Sequence, residues 1–233
     1  STEGGWLHIE TAELVDDAQR VKEAGFAGAK VKIGKPYASE DAARLAAVRS
    51  AVGNEFLLMV DANQAFQFHE ALLRARMLGD HGISWFEEPM PADDVSGHAA
   101  LAAASPVPIA VGESLYSVGQ FKEYLTAGAA AIVQVDAARI GGITPWLKTV
   151  HMAEAYNIAV CPHFLMELHV SLTCAVPNAW MLEYIPQLDA ITQSQLTIKD
   201  GKAKPPNAPG LGIDWDWKSI HARTESGSHA TLT

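Results

Sequence analysis

The chain has 233 residues, 48% hydrophobic and 19% charged, with 17 Lys and Arg against 27 Asp and Glu for a net charge of −10. The acidic balance lacks the basic footprint of a nucleic-acid binder, and no apolar run approaches the roughly 18 residues of a membrane span. Cys161 and Cys174 are the only cysteines, too few for a disulfide scaffold. The opening Ser-Thr-Glu-Gly-Gly shows no signal-peptide pattern, so the expectation is a soluble, cytoplasmic globular protein.

In chain order, the pattern predicts a helix at 12–24 and a strand at 29–33. Helices at 41–51, 69–80, 97–104, 118–127, 145–156 and 167–175 then alternate with strands at 56–61, 84–87, 109–112, 131–136, 158–162 and 180–184. Thr11 and Ser39 are candidate N-caps, Pro145 suits a first helical turn, and Gly25, Gly53, Gly79 and Gly128 follow helix ends. Runs such as Ala-Ala-Ile-Val-Gln-Val are apolar on both faces, as parallel strands covered by helices are. Strict alternation leaves an open doubly wound sheet or a closed barrel. The Gly-x-Gly-x-x-Gly turn of a dinucleotide-binding sheet is missing, and Gly141-Gly142 lacks its spacing. The fold expected is therefore an α/β barrel over residues 1–190. Residues 191–223 read as a Pro-rich tail packed on it, and 224–233 as disordered.

A barrel presents function at the C-terminal ends of its strands. There the sequence places Lys30 and Lys32, on one face of the first predicted strand, then Asp61, Glu87, Glu113, Asp136, His163 and Glu183, at intervals of 20–29 residues. One strand-end carboxylate is ordinarily a helix cap or a solvated ion-pair partner, and one His in Cys-Pro-His-Phe is ordinarily packed. A titratable group at seven consecutive strand ends does not fit that explanation. Charges pointing into a barrel are costly unless paired or metal-bound.

Residue chemistry sorts them. Asp61, Glu87 and Glu113 offer hard oxygen donors on consecutive strands, which suits Mg²⁺ rather than Zn²⁺. Glu88 is one residue out of phase with Glu87 and is expected to point away into a salt bridge or loop hydrogen bond. Pattern alone leaves open which of the two is the ligand. Lys32 and His163 lie on either side of the carboxylates in strand order, and each is a candidate base. Lys30 would lower the Lys32 pKa, and Asp136 would accept the second N–H of His163. Glu183 is expected to stay protonated and donate to a developing oxyanion. Asn63 shares a face with Asp61 and reads as a substrate or metal-supporting contact, or as a solvated loop residue. Arg139 reads as a pocket-rim residue or a surface ion pair. His98 is read as a surface residue, His169 as packing, and both cysteines as buried.

Lys30-Val-Lys32, Val60-Asp61-Ala62-Asn63-Gln64, Trp85-Phe86-Glu87-Glu88-Pro89, Gly112-Glu113, Asp136 through Gly142, Pro162-His163 and Leu182-Glu183 occur in this order over nearly the whole chain. Together they resemble the mandelate racemase subgroup of the enolase superfamily. The local sequences around Trp6, His98 and His163 are most similar to its galactarate/talarate dehydratases. The resemblance implies a modified (β/α)7β barrel with a separate N-terminal capping domain. It implies Mg²⁺ on Asp61, Glu87 and Glu113, Lys32 as one acid/base and the His163–Asp136 pair as the other. Lys30 would neutralise the substrate carboxylate and Glu183 would assist there. The substrate implied is a small-molecule carboxylate, an acid sugar, and the assembly implied is a homo-oligomer. The reaction expected is dehydration of an aldonate or aldarate to a 2-keto-3-deoxy acid. The alternatives are a racemase or epimerase, a metal-binding member with little activity, and an unrelated metal-dependent aldolase, which would not need both Lys32 and the His163 pair. With seven strands where that barrel has eight, the first strand and the capping domain are expected to lie in a preceding stretch of about 120–150 residues.

Overall fold

The computed structural model describes residues 5–193 and 195–224. Strand β1 (Gly28–Lys32), β2 (Leu57–Asp61), β3 (Ile83–Glu87), β4 (Ile109–Val111), β5 (Ile132–Val133) and β6 (Ala159–Val160) form one parallel sheet in sequential order. Helix α1 (Thr11–Glu23) precedes β1. Each strand is followed by a helix: α2 (Ala38–Val52), α3 (Phe68–Gly79), α4 (Val95–Ala104), α5 (Val118–Thr126), α6 (Ile143–Ala155) and α7 (Met166–Cys174). This is the alternation expected of an α/β barrel chain.

Strand alternation divides the interior in two. Leu58, Val60, Phe86, Ile109, Val111, Val133 and Val160 face the helices and join the main core with Leu45, Leu78, Phe121 and Trp146. The opposite faces supply Met59, Trp85, Ala110, Ile132 and Cys161, a small separate cluster. It forms an apolar floor beneath the strand ends.

Local chemistry sets the helix starts. Asp94 caps α4 by accepting from the Gly97 N–H at 2.8 Å, and Ser117 caps α5 by accepting from Gln120 at 3.2 Å. Thr11 and Ser39 do not cap. Their helices begin after Glu10 and Tyr37, where Glu40 accepts from the Tyr37 N–H at 3.1 Å, so both predicted caps lie within the first turn. Pro145 falls in the first turn of α6, as expected.

The strand expected at 180–184 is reduced to one parallel bridge between Val160 and Ala179. Asn178 and Trp180 bond the two sides of Val160, each at 2.9 Å. The ladder stops because β6 is two residues long and Pro162, just beyond it, has no N–H to extend the pairing. The tail forms a 3₁₀ turn (Gln187–Ile191), a hairpin of β7 (Thr197–Lys199) and β8 (Lys202–Lys204), and helix α8 (Trp217–Arg223). Of the segment expected to be disordered, only Thr224 lies within the described residues. Ser1–Glu3 and Gly4 lie outside them, as does His229. Among the described residues no helix is long and apolar enough to cross a membrane.

Candidate active site

Parallel register places Lys32 beside Asp61 and Asp61 beside Glu87, so the ends of β1, β2 and β3 present their side chains in one row. Glu113 follows β4 through Gly112. A Cβ on that glycine would lie 2.4 Å from the Gln134 carbonyl carbon, so only glycine allows the two chain segments this close. Asp61, Glu87 and Glu113 each offer an oxygen within 4.8 Å of the others. All three donors are carboxylates, and such a set fits a hard divalent cation. Asp61 and Glu87 are fully buried, and the Glu113 side chain is 12% exposed.

Each of these carboxylates also meets at least one cationic or proton-carrying group. The Lys30 ammonium lies 2.6 Å from Glu87 Oε1, Lys32 pairs with Asp61 Oδ2, and His163 Nε2 lies 3.2 Å from Glu113 Oε2. Burial pushes the Glu87 carboxyl up, reinforced by Asp61 and opposed by Lys30. Burial opposes the charge on Lys30, but Glu183, Glu87 and Asp61 outweigh it and hold the ammonium well above its ordinary range.

His163 Nδ1 lies 2.9 Å from Asp136 Oδ2. Asp136 Oδ1 accepts the backbone N–H groups of Ala138 at 2.8 Å and Arg139 at 3.1 Å. Burial opposes ionisation of Asp136, yet the His163 bond and these N–H groups hold its carboxyl low. Burial likewise opposes the His163 cation, and Asp136, Glu113 and Glu183 overcome it, raising the imidazole above its usual value. Arg139 does reach the site: its guanidinium donates to the Glu113 carbonyl at 2.8 Å and lies 3.7 Å from Asp136 Oδ2. Asn63 Oδ1 accepts from Lys32 at 2.6 Å, and its N–H donates to Asp61 Oδ1 at 2.8 Å, so it braces two neighbours.

Glu183 differs from expectation. Its Oε1 lies 2.8 Å from Lys30, and its Oε2 accepts the Phe164 N–H at 2.7 Å. Burial favours its neutral form, but the Lys30 charge dominates and holds the carboxyl far below the usual range. It is an ionised acceptor here, not a protonated donor. Glu88 turns away from Glu87 with φ 38° and accepts the Ser114 N–H at 3.2 Å, the loop hydrogen bond expected. Burial, then the Glu113 charge, pushes its carboxyl up to about 7.

Several contributors escaped the sequence reading. Gln134 and Trp85 both donate to Glu87 Oε2, at 2.7 and 3.1 Å. Trp85 stands two residues before Glu87, and Gln134 two before Asp136, so same-face spacing was the available signal. His98 is fully buried rather than on the surface, 3.2 Å from the Tyr124 hydroxyl. Cys161 is buried as expected, but Cys174 is exposed. A cavity of about 620 Å³ is lined in part by Met59, Trp85, Cys161 and Trp180; of the strand-end groups only Lys30 and Glu183 reach it.

Residues 13–219 match the enolase C-terminal domain-like family. The chain belongs to that family. This enolase-family chain is 40% identical over 213 residues to the L-talarate/galactarate dehydratase of Salmonella typhimurium, covering 91% of this chain and 54% of that protein. It is 33% identical to the 3,6-anhydro-alpha-L-galactonate cycloisomerase of Streptomyces coelicolor, covering 92% of this chain and 60% of that protein. The structure of L-talarate dehydratase from Polaromonas sp. JS666, complexed with Mg and L-glucarate, superposes with a TM-score of 0.89. It is 38% identical, with 94% of this chain and 62% of that one covered. The chain thus spans little more than half the length of the curated relatives it matches.

Proposed function

We propose that this chain carries the catalytic site of a Mg²⁺-dependent acid sugar dehydratase acting on an aldonate or aldarate. The observation that carries the reading is the pairing of Lys32 and His163 with the two outer members of a three-carboxylate cluster, on Asp61 and Glu113. Each group is a proton carrier that the fold anchors independently of the other. The similarity to L-talarate/galactarate dehydratase supports the substrate class.

Asp61, Glu87 and Glu113 would hold the metal, which supplies positive charge against a substrate carboxylate and so acidifies its α-carbon. Lys30 adds a second buried positive charge beside Glu87 and Glu183. Its charge would neutralise the substrate carboxylate. One of Lys32 and His163 removes the α-proton to form an enediolate. The other, from the opposite face, protonates the departing β-hydroxyl, which leaves as water. The enol that results tautomerises to a 2-keto-3-deoxy acid, so substrate equals product plus water. Asp136 keeps His163 in the Nδ1–H tautomer, leaving Nε2 to exchange protons. Asn63 orients the Lys32 ammonium and would also contact substrate.

The same pair of opposed groups would racemise or epimerise a 2-hydroxy acid that has no β-leaving group, and the similarity to a cycloisomerase supports this second reading. The deciding experiment screens aldonates and aldarates with Mg²⁺ on the full-length protein. Keto acid from at least one supports dehydration. Proton exchange or stereochemical inversion across the panel without keto acid assigns an isomerase. Neither outcome in any sugar acid contradicts both.

A further inference from the structure

Helix α7 carries His169 six residues beyond His163, and no reading of the reaction uses it. Its side chain is fully buried, against the Trp146 ring at a centroid distance of 6.0 Å. Nε2 accepts the Ala137 N–H at 3.1 Å, and Nδ1 lies 2.8 Å from the Phe164 carbonyl oxygen. Ala137 directly follows Asp136, and Phe164 directly follows His163. One ring therefore bonds the backbone next to both members of the pair.

We propose that His169 is a positioning residue for His163 and Asp136, tying the loop after β5 to the loop after β6 so that their side chains meet. This rests on the proposed role of that pair in proton transfer.

The bonding is directional. A backbone N–H only donates and a carbonyl only accepts, so Nε2 must be bare and Nδ1 must carry the proton. The cation would keep its bond to the Phe164 carbonyl but would turn an Nε2–H against the Ala137 N–H, and the other tautomer fails at both contacts. Burial, which holds the His169 imidazole below its usual value, works in the same direction. The clamp also has something to restrain. Phe164 and Leu165 have φ of 54° and 37°, a left-handed conformation that side chains other than glycine rarely adopt. The Phe164 peptide is gripped on both sides, its N–H by Glu183 and its carbonyl by His169. Releasing the carbonyl frees this turn to relax and carries His163 away from Asp136.

The test compares His169→Phe, which keeps a buried ring but loses both bonds, with His169→Gln, whose amide retains an acceptor and a donor. The first readout needs no substrate: the downfield proton signal of the His163–Asp136 hydrogen bond, assigned by its loss in His163→Asn. It should vanish or broaden in His169→Phe and return in His169→Gln. The second is face-resolved α-proton exchange in D₂O. Exchange on the His163 face should fall by roughly 10²-fold in His169→Phe, with KM and exchange on the Lys32 face kept. A folded His169→Phe variant with an unchanged His163 signal would overturn the proposal. Should that variant not fold, nitrogen chemical shifts of the unmodified protein decide: an Nε2–H tautomer or a cation at His169 refutes the clamp. A protein that exchanges no α-proton counts against the proposed reaction, and the substrate-free signal still decides the role of His169.

Discussion

Asp136 Oδ2 and His163 Nδ1 lie 2.9 Å apart, the ends of two neighbouring strand-to-helix connections joined by one hydrogen bond. Because Asp136 Oδ1 is already occupied by two backbone N–H groups, its second oxygen is fixed in direction. An Asp136→Asn substitution keeps the shape but can present an N–H toward His163 in place of an acceptor. Turnover should drop by about 10³-fold or more, with substrate binding little changed. Steady-state kinetics of the variant checks this.

Glu87 is held from two sides by donors that the sequence reading did not include. Gln134→Met and Trp85→Phe each remove one hydrogen bond to Glu87 Oε2 while keeping apolar volume. Mg²⁺ affinity should fall roughly 10–100-fold, the usual effect of losing a group that orients a metal ligand. Calorimetric titration with Mg²⁺ alone measures it.

Stability should respond strongly to a buried charge network on the outer side of the sheet. Asp41 is fully buried, accepts the Gly34 N–H at 2.9 Å, and pairs with Arg74 at 2.5 Å. Gly34 lies two residues past Lys32, so the network also anchors the loop that leaves the site. Arg74→Leu removes the ion-pair partner of the buried Asp41 carboxylate and should cost about 3–5 kcal/mol, read as a shift in the urea unfolding midpoint.

Burial holds His98 below its ordinary pKa. As pH falls through about 6.5, the unfolded chain takes up a proton that folded His98 resists. The contribution is therefore fully present above that pH and lost below it, at no more than about 1.4 kcal/mol per pH unit. His98→Gln should flatten the decline in unfolding free energy between neutral and mildly acidic pH. Denaturant titrations at several pH values report the slope.

The alternation of strands and helices was legible because each apolar run ends in a charged residue and is followed by a separate amphipathic stretch. Asp61, Glu87 and Glu113 were legible for the same reason: a strand ending in a carboxylate repeats at one point of each unit. The ionisation of Glu183 was not. It depends on an ammonium 2.8 Å away that comes from residue 30, a proximity that only the folded sheet creates. His98 was missed because it lies in an alanine-rich helix with no clear polar face, and its burial is decided by packing against Tyr124 from the next helix. The last predicted strand had the right composition, but β6 offered too short a ladder to pair with it.

In the proposed reaction Lys32 and His163 move protons on opposite faces of one substrate bound beside the three carboxylates. Face-resolved α-proton exchange in D₂O, with Mg²⁺ present, tests it most directly. Lys32→Ala should abolish exchange on one face and His163→Asn on the other, each variant keeping the face it does not serve and neither forming keto acid. Exchange that survives on both faces in either variant, or that continues after all metal is removed with EDTA, would rule out these roles for Lys32, His163 and the metal.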